Sequence, residues 1–182
     1  MERRNHGEGR LILLDKRRIS RISKTMNENE AEEYFLTIFL SHGQSPLWQE
    51  VANYIEQKLA HEVVEFTEGV NQGRTVIQKL EQDTEECAFG IIVLTADDET
   101  GSGSPRSREK ILHEIGYCQG TFGRENVLVL KQDGVEEFSD LAGVIYVPFA
   151  GNDIKSTFSR LQTEIEAAID RFEDEEDEFD DD

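Results

Sequence analysis

Apolar and polar positions along this chain alternate between two periods. Tyr34-Phe-Leu-Thr-Ile-Phe-Leu40 is a continuous apolar run of strand length, the pattern of a central strand covered on both faces. Ser41-His-Gly-Gln-Ser-Pro46 reads as a turn, with Ser45 as the expected N-cap and Pro46 at the first helical position. Trp48, Val51, Ala52, Ile55 and Leu59 then recur at helical spacing. His61–Phe66 reads as a short strand, and Thr67–Gly73 as a loop. A second helix is expected from Arg74, with Val76, Ile77, Leu80 and Cys87 inward. Ala88–Thr95 is a second fully apolar strand, ending in Asp97-Asp98, and Glu99–Ser107 is a loop rich in turn formers. The third helix places Ile111, Ile115, Cys118 and Phe122 inward. Asn126–Leu130 and Gly143–Val147 read as strands, and Ile154–Phe172 as a long amphipathic helix.

Strands alternating with single helices imply a parallel sheet with right-handed crossovers. The expected class is α/β and flavodoxin-like, with a five-stranded parallel sheet in the order 2-1-3-4-5 and helices on both faces. Residues 34–172 form the expected domain. Residues 1–33 form a basic leader whose one apolar island is Leu11-Ile-Leu-Leu14, followed by Asp15-Lys-Arg-Arg18. That leader reads equally as a docking segment, an edge strand, a flexible arm or the end of an upstream domain. Residues 173–182 form an acidic tail that self-repulsion is expected to keep disordered.

Charge sharpens the picture. The net charge is −20, with +5 on residues 1–26, −9 on 173–182 and −16 on the stretch between them. An acidic body repels phosphates and argues against general nucleic-acid binding. No apolar run approaches the roughly 18–20 residues that cross a bilayer, so the chain reads as cytoplasmic with no membrane partner. Cys87 and Cys118 both fall on apolar stretches and are expected as buried thiols. With scattered histidines and no paired ligand spacing, no metal site is expected.

In the 2-1-3-4-5 order, ligands bind beyond the carboxyl ends of strands one and three. Three loops are expected to meet there: Ser41–Pro46, Asp97–Ser107 and, from the flank, Thr67–Arg74. Gly43 lets backbone approach a ligand, and free N–H groups at the start of the next helix suit a phosphate. There is neither a dinucleotide fingerprint nor a P-loop. Asp97 and Asp98 read as capping and solvated, or as part of a Mg²⁺ site. Glu114 stands one position before inward-facing Ile115 and shares a flank with Lys110 and Tyr117. Partial desolvation there suits a base or an electrostatic stabiliser.

Six segments then occur in order: Phe39-Leu-Ser-His-Gly43, Gly73-Arg-Thr-Val-Ile-Gln-Lys-Leu-Glu81, Ile92-Val-Leu-Thr-Ala-Asp-Asp98, Arg108-Glu-Lys-Ile-Leu-His-Glu-Ile-Gly-Tyr117, Gly123-Arg124 and Ser139-Asp-Leu-Ala-Gly143. Together they resemble the TIR-like nucleotide-binding domains of bacterial anti-phage proteins, the kind fused to STING-like sensors in CBASS systems. The resemblance covers about residues 35–168. It implies a TIR fold and, as in many members, hydrolysis of NAD⁺ to nicotinamide and ADP-ribose. The family pattern R-x-N-V-x-x-E-x-G puts its catalytic glutamate at Glu114 and its first arginine at Arg108. The pocket edge matches Ser41, His42 and Gly43. Gly69–Arg74, with Gly73 and Arg74 at its end, matches the loop that packs against a neighbouring subunit. Lys110-Ile111 stands where the pattern has Asn-Val. Lys110 either pairs with Glu114 at i,i+4 or meets a ligand phosphate.

The expected function is an NAD⁺ glycohydrolase, with NAD⁺ as substrate and no cofactor. It would be an anti-phage effector switched on by self-assembly or by a defence partner. Breaking the nicotinamide–ribose bond passes through an oxocarbenium-like state. Nicotinamide leaves neutral, so one carboxylate suffices. Two other classes fit the same crevice: a nucleoside 2-deoxyribosyltransferase-like enzyme with Glu114 as nucleophile, and a non-catalytic nucleotide-binding or scaffolding module.

Overall fold

A computed structural model describes residues 22–26, 32–66, 75–96, 108–135 and 144–180. Side chains are described in all of these except 22–26, 32–33, 108–110 and 175–180. The strands are β1 (Ile22–Met26), β2 (Glu32–His42), β3 (Glu62–Phe66), β4 (Phe89–Leu94), β5 (Val127–Gln132) and β6 (Ile145–Phe149). The α-helices are α1 (Trp48–Lys58), α2 (Val76–Asp83), α3 (Arg108–Phe122) and α4 (Phe158–Asp180).

β3, β2, β4, β5 and β6 lie side by side and parallel, which is the order 2-1-3-4-5 among the parallel strands. The sheet has helices on both faces, so the fold is α/β and flavodoxin-like, the architecture that the TIR resemblance implies. Every residue of β4 is buried, as the apolar run Phe89–Leu94 requires of a central strand.

Alternation along the strands sorts the core into two layers. Ile38, Leu40, Ile91, Val93, Leu128 and Leu130 pack with α1 and α4. Phe39, Ile92, Leu94, Val127 and Val129 pack on the opposite face with Leu80 of α2 and Ile111, Ile115, Cys118 and Phe122 of α3. Gly90 lies on this second face. A Cβ there would stand 3.0 Å from two ring carbons of Phe122, so the missing side chain lets α3 seat on β4.

The structure moves several boundaries. β2 begins at Glu32 because its first half pairs antiparallel with β1, from Ile22 opposite Leu36 to Met26 opposite Glu32. Part of the leader is thus an edge strand, at Ile22–Met26. The Leu11–Leu14 island lies outside the described residues. The first helix starts at Trp48, with Leu47 at the cap position and no side-chain cap, so Ser45 and Pro46 form a turn ahead of it. Thr75 caps α2 in a reciprocal capping box with Gln78.

Ile77, expected inside, is 49% exposed. Cys87 lies beyond the end of α2 yet is buried, as is Cys118. β6 runs on through Pro148 to Phe149, because an edge strand does not need the lost N–H. Ile154–Thr157 forms a tight 3-10 turn before α4.

The acidic end also needs correcting. α4 continues to Asp180, where the sequence pattern puts a disordered segment after Phe172. Residues 173–180 contain no glycine or proline, and an anchored helix propagates more readily than a new one nucleates.

Candidate functional site

The carboxyl edge of the sheet separates two neighbouring residues by strand geometry alone. Ser41 follows Phe39 by two positions and faces α2 and α3, whereas His42 follows Leu40 and faces α1. Each therefore meets a different set of partners.

On the first face, α3 carries Glu114 three residues after Ile111 and four before Cys118. It thus sits within the buried stripe of the helix rather than on its flank. Glu114 is 1% exposed and Ser41 is fully buried. Ser41 Oγ donates to Glu114 Oε2 at 2.7 Å. A hydroxyl donating to a carboxyl group at this distance is a short, orienting contact. Cys118 follows one turn later. Burial first, then the Glu114 carboxylate and the Cys87 thiol, push its thiol far above the ordinary range. Cys118 is therefore a packed thiol rather than a nucleophile. His113 is exposed on the other side of the helix.

On the second face, the His42 ring stacks on Trp48 with centroids 4.2 Å apart and 12° between planes. Its Nε2 lies 3.1 Å from Oε1 of Glu65 in β3, and its Nδ1 lies 2.6 Å from the carbonyl of Gly43. Both ring nitrogens thus have protein oxygens as partners. The turn that follows uses part of its own amide set: the N–H groups of Gln49 and Glu50 donate to the carbonyls of Pro46 and Leu47.

The structure brings Ser41 and Glu114 together and sets His42 and Gly43 beside them at the strand end. Tyr117 is partly buried against α2 and lines a groove with Gln78, Glu81, Thr84 and Thr121. Arg108 and Lys110 lie in the first turn of α3, and their side chains fall outside the described residues. Gly73, Arg74, Asp97 and Asp98 lie outside them altogether.

Two residues at this edge were not singled out by the sequence. Glu65 meets His42 across strands that are far apart in the chain. Gln132, at the end of β5, accepts from Ala96 N–H at 2.7 Å and donates to the Gly151 carbonyl at 2.7 Å. It thereby ties together the segments that follow β4 and β6. Only the folded register brings such pairs together. Among the described residues, no group of three metal-ligating side chains assembles, and no helix is long and apolar enough to cross a membrane.

Comparison with known proteins assigns the chain to a family. The family model for the TIR domain of CAP12/Pycsar effector proteins matches residues 37–151, the stretch from β2 to just past β6. The uncharacterized protein YuaY of Escherichia coli (strain K12) is 37% identical over 118 residues, 60% of this chain and 38% of that protein. Protein tirC of Dictyostelium discoideum is 27% identical over 135 residues, 66% of this chain and 67% of its own length. The Pycsar effector protein BcPycTIR of Burkholderia cepacia is 26% identical over 131 residues, 65% of this chain and 43% of that protein. The matched region thus spans less than half of each of these two bacterial relatives. The chain belongs to the TIR domain family of the CAP12/Pycsar effectors, a family of bacterial anti-phage effectors.

Proposed function

We propose that this domain cleaves the nicotinamide–ribose bond of NAD⁺, with Glu114 as the catalytic carboxylate. The observation that supports it best is Glu114 itself: a 1% exposed carboxylate on the helix after β4, bonded to a serine at the carboxyl end of β2. In an open α/β sheet, that edge between strands one and three is where ligands bind.

In the proposed reaction the bond from ribose C1′ to the pyridinium nitrogen breaks, and its electron pair goes to nitrogen. Nicotinamide leaves neutral. The ribosyl cation that remains is stabilised by the Glu114 carboxylate at short range in a site shielded from water. Water adds at C1′ and gives up a proton, so NAD⁺ and water yield ADP-ribose, nicotinamide and one proton. Gly43 would let the protein backbone approach the substrate at the strand end, with Arg74, Arg108 and Lys110 as candidate phosphate contacts. Asp97 and Asp98, a few positions after β4 in sequence, are further candidate contacts. No cofactor takes part.

Activation would come from self-assembly, through the Gly69–Arg74 segment, or from a defence partner. Effectors of this family point to a cyclic nucleotide as the upstream signal. Following nicotinamide release from NAD⁺ at increasing protein concentration tests the reading. A rate per protomer that climbs with concentration is expected. Transfer of ribose to a second base without net hydrolysis would assign a transferase instead.

A further inference from the structure

We infer that Ser41 is a positioning residue for Glu114 rather than a contact for substrate, an inference that rests on the catalytic reading of Glu114. Three observations carry it. Ser41 is fully buried and Glu114 nearly so, so the two side chains pack as a pair and the serine hydroxyl is turned to the carboxylate. That hydroxyl lies 2.7 Å from Glu114 Oε2, a bond joining positions 73 residues apart. Its own placement is over-determined: it occupies the penultimate position of β2, in register with Phe66 of β3 and Ile92 of β4. The strand on which it sits is paired on both sides, whereas α3 is held by the packing of its apolar face on the sheet. The rigid element therefore holds the carboxylate that the helix carries in.

The chemistry gives this bond a second consequence. A hydroxyl that donates to a carboxylate favours the ionised form, and the ionised form is what a ribosyl cation requires. Among the described residues, Cys118 on the same helix is a titratable group coupled to Glu114, with Cys87 before β4 coupled in turn to Cys118. His42, the next residue of β2, faces the other side of the sheet. The Lys110 side chain lies outside the described residues. A thiol is a weaker donor than the Ser41 hydroxyl.

Ser41→Ala and Ser41→Thr in the full chain test the assignment. Alanine removes one oxygen from a site it otherwise fills. Threonine keeps the hydroxyl and suits a strand. Ser41→Ala is expected to lower kcat for NAD⁺ about 10- to 100-fold with KM within about twofold. It should also move the acid limb of the pH profile up by about one unit, and Ser41→Thr should restore both. The midpoint of the Glu114 carboxyl, followed by carbon NMR and identified by its loss in Glu114→Gln, reads the same effect without turnover. A rise in that midpoint in Ser41→Ala is expected. An unchanged midpoint, or a loss confined to KM, overturns the positioning role. A raised midpoint in a protein that never cleaves NAD⁺ upholds the positioning role and removes the catalytic reading instead.

Discussion

Ser41 and Glu114 form a buried hydrogen bond of 2.7 Å across 73 residues of chain, and that bond joins the central strand to the helix two crossovers later. It depends on the register of the sheet, since β4 pairs with β2 and α3 packs its apolar face on that side of the sheet. The bond is therefore a product of the whole fold. Its direction follows from one step of strand alternation, which sends Ser41 to α3 and His42 to α1.

The seat of α3 on β4 is tight. A methyl group at Gly90 would meet the Phe122 ring at 3.0 Å, and Phe122 is itself fully buried with no open side to move into. Gly90→Ala is expected to destabilise the protein by about 1–3 kcal/mol through overpacking, read as a lower urea midpoint. A midpoint equal to that of the parent protein would show that α3 has slack.

Ala60 ends α1 with a φ of 57°, in the left-handed region that favours glycine. The neighbouring His61 N–H closes the helix end on the Ile55 carbonyl at 3.2 Å, which holds Ala60 in that conformation. Ala60→Gly should stabilise the fold by about 0.5–1 kcal/mol, a gain of about 1–4 °C in Tm for a domain of this size. A fall in Tm would mean that the strain is absent.

Trp48 is the chain's one tryptophan, so its emission reports the stack on His42 without a label. The ring at 4.2 Å covers one indole face. In His42→Ala water reaches that face, and the emission maximum is expected to move to longer wavelength. An unmoved maximum would contradict the stack.

Much of the fold is legible from the pattern of apolar residues. The runs at Tyr34–Leu40 and Ala88–Thr95 announce central strands, and the spacing of Ile111, Ile115, Cys118 and Phe122 announces the inner face of α3. What the pattern misses has physical reasons. Pro148 masks a strand that tolerates it only at an edge. Ile77 has helical spacing but sits on a helix too short to bury both of its apolar flanks. The polar Lys24 and Thr25 conceal an antiparallel edge strand that pairs only with the protruding half of β2. The acidic end of α4 looks too charged to be helical, yet it inherits its first turns from a helix already docked through Phe172.

The site divides along the same lines. Glu114 can be singled out because it stands beside an apolar stripe and matches the glutamate of the family pattern, whereas its place inside the buried stripe is visible only in the fold. That Ser41 bonds to it while His42 is held by Trp48 and Glu65 is a fact of register, absent from any local window. Lys110 stands one turn before Glu114 in sequence, and its substitution to Asn, the residue in the family pattern, is a natural companion to the final test.

Nicotinamide release from NAD⁺ by the full chain, measured beside Glu114→Gln at the same concentrations, tests the central claim most directly. Glutamine keeps the shape and the bond from Ser41 while removing the charge that would stabilise the ribosyl cation. The wild-type protein should release nicotinamide, and Glu114→Gln should do so about 100-fold more slowly or worse. Equal rates in the two proteins would contradict the account.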